Sequence, residues 1–270
     1  MKSHAKLLTV LLSFALLSVF IPIKIKAGVL MRTVAKTEKP AGTTTIISYI
    51  EPDRLRLETQ GQDFDAVAIF RADKKIFWAI NKREGTYVEM TEESVQKMGS
   101  QMTEMMKQMQ EQMANLPPEQ RQMMEQMMRQ MTPSPARPPK VTSRRLGSGG
   151  KINNFPTDKY ELYENGKKSM EIWATEWKNL GLSPDDFKVF EQFGKFMEKM
   201  GGPFARMTEY RLLHKEDYGI KGFPVRSVQY ERGAASFVSD LKEVRKERLA
   251  SSLFELPPGL RKVEEPGPTR

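Results

Sequence analysis

Between Gly28 and Met90 apolar and polar residues alternate with a period of two. Arg54-Leu55-Arg56-Leu57-Glu58 sets two leucines on one side of an extended strand and three charges on the other. Thr43 to Glu51 is rich in β-branched residues and ends at the turn Glu51-Pro52-Asp53. Ala66 to Arg71 and Ile76 to Asn81 are apolar in both phases of the alternation. That predicts a hairpin of central strands, covered on both faces. With Val29 to Lys36 and Thr86 to Met90, residues 28–90 read as a meander of about six antiparallel strands.

The period changes to that of a helix after Thr91. Thr91 is a fair N-cap, Glu92 and Glu93 suit the positive end of the helix dipole, and Met90 is placed to staple onto Val95. Met98, Met102, Met105, Met106, Met109 and Met113 then fall on one helical face. Asn115-Leu116-Pro117-Pro118 breaks the helix. A second one begins at Glu119 and carries Met123, Met124, Met127, Met128 and Met131. Residues 91–131 therefore predict a helical hairpin with a face of thioethers. Such a face suits packing into irregular gaps, a pliable surface for a partner through Met102, Met105, Met106, Met109 and Met113, or soft coordination of Cu(I). Neither Cys nor His lies nearby to complete a metal site.

Residues 132–140 hold four prolines and read as a semi-rigid linker. Strand patterns then resume over 141–262. Leu146 to Lys151, rich in glycine but lacking the ending of a phosphate-binding loop, is read as a turn. Asp158 to Tyr163 and Lys168 to Thr175 flank Asn165-Gly166, a strong hairpin signal. Ser183-Pro184-Asp185-Asp186 is a capping box that opens a helix over 184–200 bearing Phe187, Phe190, Phe193 and Phe196. That many phenylalanines predict core packing on the concave side of a sheet, with a movable lid as the alternative. Phe204 to Lys215 is ambiguous. Phe223 to Tyr230 and Ala235 to Val244 are two more strands around an Arg232-Gly233 turn. Leu253 to Leu260 docks as a C-terminal turn, and residues 263–270 read as a disordered tail.

Charge and composition narrow the chemistry. Basic residues followed by an uncharged run from Leu7 to Ile23 and Ala27 predict a cleaved signal peptide over 1–27 and a periplasmic or secreted protein, with an uncleaved N-terminal anchor as the alternative. Cleavage would remove four lysines and lower the formal charge from +9 to +5. Charges of both signs are interspersed, which predicts a solvated surface with some affinity for anionic headgroups, no nucleic-acid partner and at most peripheral contact with a membrane. The chain has no cysteine, so it lacks disulfides, thiol nucleophiles and cysteine zinc sites. Beyond the leader its one histidine is His214, in a Lys- and Glu-rich stretch without a nucleophile elbow. No catalytic residue, no cofactor and no enzyme activity are expected.

Two sets of motifs carry a resemblance. Glu51-Pro52-Asp53-Arg54-Leu55-Arg56 followed by Phe77-Trp78-Ala79-Ile80 resembles the front half of the LolA/LolB-like periplasmic half-barrels. Gly85-Thr86-Tyr87-Val88-Glu89-Met90, Leu116 to Met124, Lys159 to Tyr163, Glu171-Ile172-Trp173, Gly222-Phe223-Pro224-Val225 and Leu253 to Gly259 are similar, in this order, to an uncharacterised bacterial envelope family with a Met-rich helical insert. Pro156-Thr157 stands where that family leads one to expect a cysteine. The resemblance implies an α+β fold: an antiparallel β half-barrel with capping helices, interrupted by the Met-rich hairpin. It also implies a concave face that holds a lipid or a lipoprotein acyl chain. The expected function is a non-catalytic binding protein, with an envelope protein as the other expected partner. Leu55, Leu57, Ile69, Trp78 and Trp173 are expected to line the groove, and Phe190 and Phe193 to cover it.

Overall fold

The computed structural model describes residues 27–38, 40–114, 117, 140–199 and 218–264. The leader up to residue 26, the second helix of the hairpin, the linker up to residue 139, the stretch 204–215 with His214, and residues 265–270 lie outside the described residues.

Six strands lead the chain: β1 (Gly28–Glu38), β2 (Ala41–Glu51), β3 (Arg54–Gln60), β4 (Asp65–Arg71), β5 (Ile76–Asn81) and β6 (Thr86–Thr91). Helix α1 (Glu92–Ala114) follows. Then come β7 (Val141–Ile152), β8 (Phe155–Glu164), β9 (Lys167–Thr175), helix α2 (Lys188–Glu198), β10 (Phe223–Glu231), β11 (Ala234–Glu247) and the short β12 (Arg261–Lys262). The strands form one open sheet in the order β12-β6-β5-β4-β3-β2-β1-β11-β10-β9-β8-β7. Neighbours are antiparallel except β12, which runs parallel to β6. The two strand groups expected from the sequence are thus halves of a single sheet, joined where β1 pairs with β11 from Gly28↔Glu247 to Thr37↔Phe237.

The sheet curls. One core holds Phe70 of β4, Val29 of β1, Leu241 of β11 and Val225 of β10, together with Val189, Phe196 and Met197 of α2. In a flat sheet β4 and β10 would stand roughly 24 Å apart, five strand spacings, beyond what one helix about 10 Å wide can span. The Asn153 side chain, in the β7–β8 turn, also donates to the Leu241 carbonyl of β11, three strands from β8 in the order. Helix α2 lies on the concave side. Ser183 and Asp186 form the expected capping box, but the first turn is 3-10 (Pro184–Phe187) and the α-helix starts at Lys188. Lys246 reaches Asp186 at 2.8 Å, and Gln192 donates to the Pro52 carbonyl at 2.9 Å.

Alternation decides which side chains meet the helix. On β3 to β6 the inner face reads, strand by strand, Leu55, Phe70, Phe77, Met90 in one row and Leu57, Ala68, Ala79, Val88 in the next. The third row is Thr59, Ala66, Asn81, Thr86. The outer face holds Val67, Ile69, Trp78 and Ile80, buried under Leu256 and Leu260. So β4 and β5 are covered on both sides where Phe70 and Phe77 meet α2, while further along the inner face carries only the small residues Ala66, Ala68 and Ala79.

The outer cover is a C-terminal strap. Phe254 is fully buried, Arg56 donates to the Leu253 carbonyl at 3.0 Å, and Arg71 is paired with Asp73 and Glu255. The strap then adds β12 to the edge of β6. The Val263 amide donates to the Tyr87 carbonyl at 2.9 Å, so the paired chain runs one residue into the expected tail.

The glycine-rich stretch 146–151 is strand and not a turn. It sits inside β7, where two bulges absorb the extra residues and Gly147 and Gly150 take left-handed φ values of 106° and 73°. Thr91 caps α1 as expected: its Oγ1 accepts from the Ser94 amide at 3.1 Å, and its own amide donates to Ser94 Oγ at 3.0 Å. Met90 and Val95 share the core.

Candidate groove on the concave face

The inner rows of β3 to β6 step from large to small. Beside α2 the row is Leu55, Phe70, Phe77 and Met90, and the Phe193 ring wedges onto it with centroids 5.1 Å from Phe70 and 5.4 Å from Phe77. Phe196 adds a contact to Phe70 at 5.4 Å. This end of the concave face is filled. One row further along, Phe gives way to Ala68 and Ala79, and the next row has Ala66. The missing side-chain volume leaves a groove of about 480 Å³, with Thr59 on one side and Val88 and Val263 on the other. It runs along the alanine rows beside the packed Phe70 and Phe77 row and reaches the turn residues Asp63, Phe64, Arg83 and Glu84. Its volume falls in the range of small-molecule sites, and its floor is apolar.

Two turns frame the open end. Asn81 Oδ1 accepts from the amides of Arg83 and Glu84 at 3.1 and 3.2 Å. Arg83 Nη2 reaches across to the Gln62 carbonyl at 2.5 Å, and Lys82 pairs with Asp65 at 3.3 Å. Phe64, which is 44% exposed, stands at this rim.

None of the residues expected to line a groove lines this one. Leu55, Leu57, Phe190 and Phe193 are on the concave side but belong to its packed part. Ile69 and Trp78 face the other way: Ile69 is wholly buried beneath the strap, and Trp78 Nε1 donates to Glu89 at 2.9 Å. Trp173 is on β9, packed at the core's margin with Lys159 Nζ 4.6 Å above its ring. The signal that locates the groove is the pair of strings Ala66-x-Ala68-x-Phe70 and Phe77-x-Ala79-x-Asn81, which mark where bulk stops. Of the helical methionines, Met98 packs against the core and Met105 is exposed; the side chains of Met102, Met106, Met109 and Met113 lie outside the described residues.

Titratable groups gather elsewhere. Glu161 and Glu171 face each other across β8 and β9. Hydrogen bonds from Tyr163 and Arg144 hold the Glu161 carboxyl below its ordinary value. Burial alone would raise Glu171, but donation from Lys159, Lys168 and Tyr230 outweighs it and the net direction is down. Lys168 touches both carboxylates, at 3.8 and 3.1 Å. These side chains are paired with one another, as in a structural network. Among the described residues no three His, Cys, Asp or Glu side chains converge as metal ligands.

Residues 89–260 match the family described as Domain of unknown function (DUF4412). No curated protein matches the sequence. Among solved structures the chain is similar to an uncharacterized conserved protein from Thermus thermophilus, with 10% identity, 88% of this chain and 91% of that one covered, and a TM-score of 0.44. It is also similar to a chain of the Pseudomonas aeruginosa MucA/MucB complex (10% identity, 88% and 59% covered, TM-score 0.38). A separate MucB structure gives 8% identity, 88% and 60% coverage, and a TM-score of 0.36.

Proposed function

We propose that this chain, which belongs to the DUF4412 family, is a non-catalytic binding protein of the cell envelope whose groove holds the apolar chain of a lipid or acylated protein. The observation that carries this reading is the step from Phe70 and Phe77 to Ala68 and Ala79, which leaves an apolar trough of about 480 Å³ on the concave face. Small residues floor it, Thr59 and Val88 wall it, and charged turns surround only its open end, so water is displaced from apolar surface when a chain enters. The leader read over 1–27 would place the protein where such ligands are handled.

Titration of the delipidated protein with hexadecanoic acid tests the reading. Binding to the wild type that is lost in Ala68→Phe/Ala79→Phe, with the melting temperature preserved, is the expected result. Equal binding by both proteins would refute the groove. A second reading, docking of a partner through α1, is favoured by Met105, an exposed apolar side chain on a helix whose Val95 is fully buried.

A further inference from the structure

We infer that Phe64 is the entry residue of the groove, contacting the bound chain near its polar head, and that Arg83 holds Phe64 in place. The inference rests on the groove reading and adds an orientation to it: the apolar tail points toward Phe70 and Phe77, and the head stays outside, at the turns.

Three observations converge. First, Phe64 is among the few large apolar side chains exposed among the described residues, and it stands at the open end of the apolar trough. A phenyl ring left 44% exposed forgoes part of its burial energy, which a ligand lying against it would recover. Second, the ring is seated. It lies over Gly61, where a Cβ would come within 2.7 Å of Phe64 Cε1, so a side chain there would push the ring from this seat. The Gly61 amide donates to the Phe64 carbonyl at 2.9 Å and closes the turn. Third, the turn is pinned from the neighbouring hairpin. Arg83 Nη2 donates to the Gln62 carbonyl and, at 3.5 Å, to the Gly61 carbonyl. A bound chain therefore meets an aromatic ring whose position is already set, so little conformational entropy is lost there on binding.

The packed row beside the groove decides the orientation. Phe70, Phe77 and Phe193 present hydrocarbon and no hydrogen-bonding group, so a polar head buried there would be left unpaired. At the turns, ready access to water and the exposed guanidinium of Arg83 accommodate it.

The test uses hexadecanoic acid carrying a nitroxide next to the carboxyl group or near the methyl end, with the full chain observed by NMR. The head label should broaden Phe64, and the tail label should broaden Ala68 and Phe70. The reverse pattern overturns the orientation. Phe64→Ala should weaken binding about tenfold, Phe64→Leu should recover most of the loss, and Arg83→Gln should weaken it in the same direction. If Phe64 serves only to pack on Gly61, Phe64→Ala will change the melting temperature and leave the affinity alone, and the inference fails. Failure of the wild type to bind at all would instead defeat the groove reading, and the entry residue with it.

Discussion

The Phe193 ring stands edge-on to Phe70, centroids 5.1 Å apart and planes inclined at 61°, and this contact divides the concave face into a packed half and an open half. Phe193→Ala should cost about 2–3 kcal/mol, below the full-core figure because the ring is only half-buried. It should also lengthen the groove toward α2, so that apolar chains longer than those the wild type accepts gain affinity. Denaturant melts and titration with a ladder of fatty acids check both.

The C-terminal strap should come loose in acid before the sheet does. Hydrogen bonding by Lys262 and then Trp78 lowers Glu89, Lys74 and then Arg71 lower Glu255, and Arg71 lowers Asp73. A carboxyl depressed in the folded state contributes stability that is complete above its unfolded value, about 4, and disappears as the pH falls through the folded value. The Arg261 and Val263 amides, which donate to the Gly85 and Tyr87 carbonyls, report on the strap. Their resonances should shift to solvent-exposed positions on acidification below about pH 4 while β1 and β11 amides stay put. A single shared transition would contradict a separable strap.

Gly222 enters β10 at φ +93°, and a Cβ there would lie 2.1 Å from the Thr175 carbonyl oxygen. Gly222→Ala combines a strained backbone with a clash against main chain, which cannot move aside as a side chain can. The expected loss is about 3 kcal/mol or more, read from chemical denaturation, with the β9–β10 pairing most affected.

Lys168→Met should be destabilising at neutral pH and much less so in acid. The substitution removes the cation that touches both Glu161 and Glu171, leaving two facing carboxylates with less to separate them. Protonating either relieves the repulsion. Melting temperatures of the two proteins should therefore converge as the pH falls below about 4, through the lowered folded-state values of Glu161 and Glu171; a constant gap would show that Lys168 contributes through its stem alone.

Much of this architecture is legible in the residues. The first six strands, the Asn165-Gly166 turn with both residues at positive φ, and the Ser183 capping box all follow from local pattern, because each is decided by neighbours in sequence. The groove is not legible in the same way. Val67, Ile69, Trp78 and Ile80 read as core just as Phe70 and Phe77 do, and nothing local says which set meets α2 and which meets Leu256 and Leu260. That is a question of long-range packing, and it moved Ile69 and Trp78 to the face away from the groove. The strand at Arg261 was hidden for a similar reason: two charged residues pair through their backbones alone, on an edge supplied by residues far away.

The order of strands also bears on how the molecule forms. Every pairing within β1–β6 and within β7–β9 joins sequence neighbours, so both groups can zip up by short loops. The seam between β1 and β11 instead pairs residues 200 or more positions apart, such as Arg32 with Glu243. Its loop-closure cost has to be met before its contacts form, so the seam is expected to close after the local pairings. The curvature of the sheet would then arise last, when two preformed ribbons close on the phenylalanines of α2.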